Sequence, residues 1–164
     1  MEKHVFFRLN KTINKELFIR FELFLEKIKE KPEIENVYLM FDTKGGELNF
    51  AFKIINLISE SKIKFFGIAY KEVHSSAIPI FLLTHVRFGY EKASALIHRA
   101  TVKKGPNFSS EKDLRLAEKQ VFEIIAEKLS VSVEEVEKLA DANNREGTCI
   151  TMDHLLGNKF FIGS

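Results

Sequence analysis

Three short segments carry residue types that could perform acyl transfer: Gly45-Gly46, His74-Ser75-Ser76 and His98. A Gly pair between a buried strand and a helix frees two backbone N–H groups to face a ligand, and the helix N-terminus adds positive potential. That suits an oxyanion or a phosphate; it also suits a tight turn that merely needs positive φ. A Ser at the start of a buried helix can be a nucleophile held by that turn, or an N-cap. A His ending an apolar run can be a general base or a hydrogen-bonded structural residue. Together the three supply a nucleophile, a base and an oxyanion hole, the parts that acyl transfer needs. Lys71-Glu72-Val73 does not supply the glycine of a GxSxG elbow. His4, His74, His85 and His154 show no ligand pairing at helical or strand spacing, so no metal is expected. His74 is a poor base for Ser75, because sequence neighbours rarely face each other.

These residues need elements to hold them. Strand patterns cover residues 4–9, 37–41, 63–69, 86–90, 95–98 and 160–162. Leu17, Phe18, Phe21, Phe24, Leu25 and Ile28 recur at spacings of three and four, which predicts a helix over 15–30. Leu48, Ala51, Phe52, Ile55 and Ile58 predict a second helix. Residues 75–83 form a compact, nearly all-apolar third helix. Leu114, Ala117, Val121, Ile124, Ile125 and Leu129 mark a long fourth helix. Ser132 with Glu135 is a capping box opening a fifth. Thr151 starts a last short helix that Gly157 closes. Strands alternating with helices imply βαβ units and a mostly parallel sheet, with chemistry at the carboxyl ends of strands. The Gly pair, the Ser pair and His98 all fall at such ends.

Composition narrows the class. The 164 residues suit one domain, 1–164. Lys+Arg 25 against Asp+Glu 23 leaves a net charge of +2, which gives no support for nucleic-acid or membrane-surface binding. One Cys, Cys149, excludes an intramolecular disulfide framework and a multi-Cys zinc site. No signal segment is evident, and Ala77 to Leu83 is too short to span a bilayer, so the cytoplasm is the expected compartment. The 16 Phe without a Trp are a large apolar load for a chain of this length, and packing between identical subunits is their expected sink.

The order and spacing of these segments resemble the Clp protease proteolytic subunit (ClpP) family, within the ClpP/crotonase fold. The resemblance runs from Val5 to Gly157. Val37 to Gly46 looks like that family's strand and Ser-Pro-Gly-Gly turn, with Thr43-Lys44 in place of Ser-Pro. Ser75-Ser76-Ala77-Ile78-Pro79 and the aliphatic run after it look like its nucleophile helix, with Ala77 where the family has Gly. Arg87-Phe88 and Ala95-Leu96-Ile97-His98 look like its Lys-Arg-Phe strand and Met-Ile-His motif, at an ungapped interval. The resemblance implies an α/β fold of repeated β-β-α and βαβ units, a mostly parallel sheet and a protruding handle helix at 111–129.

Carried over by position, Ser75 is the nucleophile and His98 the general base, with Gly46 and the backbone of Ser76 as the oxyanion hole. Ser76 takes the nucleophile role if the helix begins one residue later. Aligning Ser132 with the family's late helix puts Asn143 where the triad acid belongs; Asp141 is the nearest carboxylate, and Asn144 the other neighbour. Gly45, Thr101 and Val102 are implied to bind an extended peptide by β-augmentation, and the chain's own Lys103-Lys104 suggest some tolerance for acidic ones. The resemblance implies peptide or unfolded-protein substrates, no cofactor and a homo-oligomeric ring. A partnership with an ATP-driven unfoldase is not expected, because neither an N-terminal axial loop nor a C-terminal tail is visible. Two other readings stay open: a catalytically silent subunit with an assembly or regulatory role, and a crotonase-like enzyme acting on an acyl-CoA thioester.

Overall fold

The structure is a computed structural model, and it describes residues 4–101, 110–156 and 161–162. Its first unit is β1 (Val5–Leu9), α1 (Lys15–Lys29) and β2 (Asn36–Thr43). Asn14 caps α1 by accepting the Leu17 N–H at 3.0 Å, and Leu17, Phe21, Leu25 and Ile28 form its buried stripe. In β2 every second residue is buried, so Val37, Leu39, Phe41 and Thr43 face the helices. α2 (Leu48–Glu60) adds Leu48, Ala51, Ile54, Ile55 and Ile58 to the same core. Phe21 meets Phe7 edge-on at 5.1 Å, and Phe41 meets Phe81 at 5.2 Å. Each such buried side chain contributes about 1.5–3 kcal/mol.

β3 (Lys64–His74) places the candidate site. It lies parallel to β2 along most of its length, with a register irregularity between Phe41 and Thr43. Its other edge is shared. Phe66–Ala69 pairs with β4 (Val86–Tyr90), and Glu72–His74 pairs with β5 (Ser94–Ile97). β3 is therefore longer than the 63–69 expected from sequence, because its polar second half finds a long-range partner. α3 (Ala77–Leu82) follows at once and is wholly buried. It begins two residues later than expected, since Ser75 and Ser76 form the turn.

α4 (Glu111–Leu129) and α5 (Val133–Asp141) pack on each other. Ser132 and Glu135 bond reciprocally at 3.1 and 2.7 Å, the capping box read from the sequence. β6 (Thr148–Ile150) pairs antiparallel with β5 and was not expected. α6 (Met152–Leu156) and β7 (Phe161–Ile162) close the described chain, β7 parallel to β4. Gly157, expected to stop the last helix, lies outside the described residues. The result is a mixed α/β fold with one mostly parallel seven-stranded sheet among the described residues.

The sheet face away from α1 and α2 carries an aromatic row. Phe6 stacks on Tyr38 at 5.1 Å and Tyr38 on Phe66 at 5.0 Å, with Phe6 53% exposed. Among the described residues, no helix is long and apolar enough to cross a membrane.

Candidate active site

Ser75 stands between the last residue of β3 and the first turn of α3. Its N–H donates to the Leu96 carbonyl at 2.8 Å and its carbonyl accepts from Ile78 at 3.0 Å. The turn forces Ser75 to φ +54. A side chain in that left-handed region costs about 1–2 kcal/mol, which the surrounding strand and helix must offset. This is a strained strand-to-helix turn of the kind that displays a nucleophile, formed without the flanking glycine of GxSxG.

Ser76 is turned inward, at 1% exposure. Its Oγ accepts from the Gly46 N–H at 2.9 Å and donates to the Gly46 carbonyl at 3.2 Å. The two serines therefore differ: the Ser76 hydroxyl is bound to Gly46, while Ser75 is half-buried and lines a pocket.

The Gly pair is wedged between two segments. Ile13 donates to the Gly45 carbonyl at 2.9 Å and Glu47 donates to the Ile13 carbonyl at 2.8 Å. Gly45 has φ +86, and a Cβ there would lie 2.6 Å from the His74 carbonyl and 2.9 Å from the Ser75 Cβ. Only glycine lets the two turns approach this closely. Both amides already have partners, as the tight-turn reading of the pair allows. The Gly45 N–H donates to Thr43 Oγ1 at 3.1 Å, and the Gly46 N–H is held by Ser76. The cause is a buried hydroxyl placed beside each amide.

His98 follows β5. Its Nδ1 is 2.7 Å from the carbonyl of Arg99. A carbonyl only accepts, so Nδ1 carries the proton and Nε2 keeps the lone pair, the tautomer a general base requires. Ser75, Ser76 and His98 line one pocket with Leu48, Phe122 and Glu118. Its cavity is small, about 20 Å3, and open to solvent.

Neither residue named as the acid engages His98. Asp141 is exposed and accepts from Arg99 Nε and Nη2, both at 2.7 Å. That guanidinium holds its carboxyl below the usual carboxylate range. The Asn143 amide donates to the Gly147 carbonyl at 2.9 Å. Asn143, Asn144 and Arg145 take left-handed φ of 54, 56 and 71 in the turn that leads from α5 to β6. Gly147 itself abuts His98, where a Cβ would come within 2.7 Å of the His98 Cβ. His74 bonds Ser94 Oγ through Nε2 at 2.8 Å, and burial lowers its pKa below 6.5. Thr101 is exposed, and Val102 lies outside the described residues with Lys103 and Lys104.

Glu118 was not among the expected site residues. It is 3% exposed and bonds Ala100, Arg99 and Arg115. The signal was available: it interrupts the apolar stripe of Leu114, Val121, Phe122 and Ile125, where a charge must be paired. Among the described residues, no group of three His, Cys, Asp or Glu could hold a metal ion.

The family model for Clp protease matches residues 2–146. No curated protein matches the chain.

Proposed function

The chain belongs to the Clp protease family, a ClpP-like peptidase, and we propose that it hydrolyses peptide bonds as a serine endopeptidase. The observation that carries this is Ser75 on a strained turn, lining the same pocket as His98 in its base-competent tautomer. Ser75 Oγ bonds to the scissile carbonyl carbon, and its proton passes to His98 Nε2. The C–N bond breaks as that proton moves to the leaving amine. Water then attacks the acyl-enzyme by the same route, releasing the acid and restoring Ser75. The Ser76 N–H and the Gly46 N–H hold the oxyanion, Gly46 exchanging the Ser76 hydroxyl for it. An extended substrate runs along Gly45 and Thr101–Val102.

The same reading makes the chain one subunit of a homo-oligomer enclosing its sites. The aromatic row of Phe6, Tyr38 and Phe66 and the 59% exposed Leu116 on α4 are apolar surface for such packing. A fluorogenic peptide assay on the assembled protein tests the activity. Hydrolysis that disappears in Ser75→Ala and in His98→Gln supports it; equal hydrolysis in all three proteins would overturn it.

A second reading has its own observations. Asp141 and Asn143 are committed to Arg99 and Gly147, and the Gly46 amide is covered. A silent subunit retained for assembly or regulation fits those facts. It predicts intact oligomers with no hydrolysis.

A further inference from the structure

We propose that Glu118 is the positioning carboxylate of this site, acting on His98 through the peptide group that joins Arg99 to Ala100. This rests on the reading of Ser75 and His98 as a nucleophile–base pair.

Two hydrogen bonds meet on that one peptide group. The Ala100 N–H donates to Glu118 Oε1 at 2.6 Å. The Arg99 carbonyl accepts from His98 Nδ1 at 2.7 Å. The C–N bond between them has partial double-bond character, so the two ends are electronically joined. A carboxylate drawing on the N–H increases electron density at the carbonyl oxygen. A hydrogen-bonded chain of this kind strengthens each member by roughly 10–30%. The carbonyl then grips Nδ1–H more firmly and stabilises the imidazolium formed when Nε2 takes a proton. A triad acid acts on that same side of the ring.

The surroundings suit a fixed carboxylate. Glu118 is 3% exposed, so water does not compete for its oxygens. Arg99 Nη1 at 3.0 Å and Arg115 Nη1 at 3.1 Å hold it, and Arg115 also donates to the Ala100 carbonyl at 3.2 Å. Arg99 lies over the Phe122 ring at 5.2 Å. Segment 98–100 is thereby tied to α4. The charged and titratable groups around the relay are Arg99, Arg115, Glu111, Glu137 and Asp141, with His74 on the strand side. The two guanidiniums neutralise part of the Glu118 charge, so its effect on His98 is smaller than that of a directly bonded acid.

The test is the rate of fluorophosphonate labelling at Ser75 across pH in wild type and Glu118→Gln. Gln keeps an oxygen for the Ala100 N–H and removes the charge, its NH2 taking the place of the oxygen that accepts from Arg99 Nη1. Labelling is expected to slow roughly tenfold, less than the roughly 10²–10⁴-fold typical of a directly acting acid or base, and its half-maximal pH to move down. Glu118→Gln with Arg99→Met repeats the measurement without a guanidinium facing the new amide NH2, should the single variant fold poorly. The His98 Nδ1–H proton resonance gives a readout independent of activity, expected to move upfield in either variant. Unchanged rate, pH profile and resonance in a folded variant would overturn the relay. A wild type that is not labelled at Ser75 would sink the peptidase reading alone, and the resonance would still decide the relay.

Discussion

Replacing Ser76 by Ala isolates the contact that covers the oxyanion hole. In the resting protein the Gly46 N–H is bound to Ser76 Oγ at 2.9 Å, so an incoming oxyanion must displace that hydroxyl. A neutral hydrogen bond is worth a net of about 1 kcal/mol, so removing the competitor lowers the acylation barrier by about that much, roughly fivefold in rate. The same change destabilises the fold. The buried hydroxyl also donates to the Gly46 carbonyl at 3.2 Å, and both partners lose a bond. A loss of about 1.5 kcal/mol lowers the melting temperature by about 3–6 °C for a chain of this size. Fluorophosphonate labelling rates and thermal melts, taken on the same preparation, read the two effects. They should move in opposite directions, faster labelling with a lower melting point. Unchanged labelling would remove Gly46 from the oxyanion hole, and abolished labelling would make the Ser76 hydroxyl the nucleophile.

Other perturbations follow from the same geometry. Ser75→Gly relieves the φ of +54 and should stabilise the fold by about 1 kcal/mol while labelling is lost, as thermal melts and mass spectrometry would show. Arg99→Ala removes one of the two cations that hold the 3% exposed Glu118 and should cost about 2 kcal/mol in urea unfolding, whereas Asp141→Ala, at the exposed end, should cost clearly less. Burial lowers the pKa of His74 below 6.5, so the folded state favours its neutral form. The unfolded chain takes up that proton first, and the stabilisation present above about pH 6.5 is lost as pH falls through the lower folded value. Melting temperatures measured from pH 7.5 down to pH 5 should decline more steeply in wild type than in His74→Asn.

How much of this was legible in the sequence depends on how local each signal was. α1, α2 and α4 announce themselves through periodicity, because one face of each must be apolar to reach the core, and β2 through a short apolar run bounded by turn residues. The Ser132–Glu135 box is a contact between near neighbours and reads directly. The second half of β3 does not. Tyr70-Lys71-Glu72 is polar, and the segment is held as strand by the long-range pairing of Glu72–His74 with β5 and of Val73 with Thr43 of β2. β6 is equally silent, since Thr148–Ile150 has no pattern of its own and is placed by three left-handed residues before it. Ser75, Ser76 and His98 were visible as a set, and the structure gathers them at one pocket. Their division of roles was not visible. That Ser76 turns inward and Ser75 stays at the pocket depends on where α3 begins, a matter of one residue. The acid was the hardest element to locate. Position along the chain pointed to Asn143 and Asp141, yet Asp141 is bonded to Arg99 and Asn143 to the Gly147 carbonyl. Glu118 enters the site from another element, twenty residues beyond His98, through a backbone amide that no sequence motif records.

In the proposed reaction Ser75 is a nucleophile activated by His98. Treating the assembled protein with a fluorophosphonate and mapping the adduct by mass spectrometry tests it most directly. The expected result is one adduct per chain, at Ser75, absent in Ser75→Ala and strongly reduced in His98→Gln. No adduct on an intact oligomer, or an adduct at Ser76 that survives in Ser75→Ala, would contradict it.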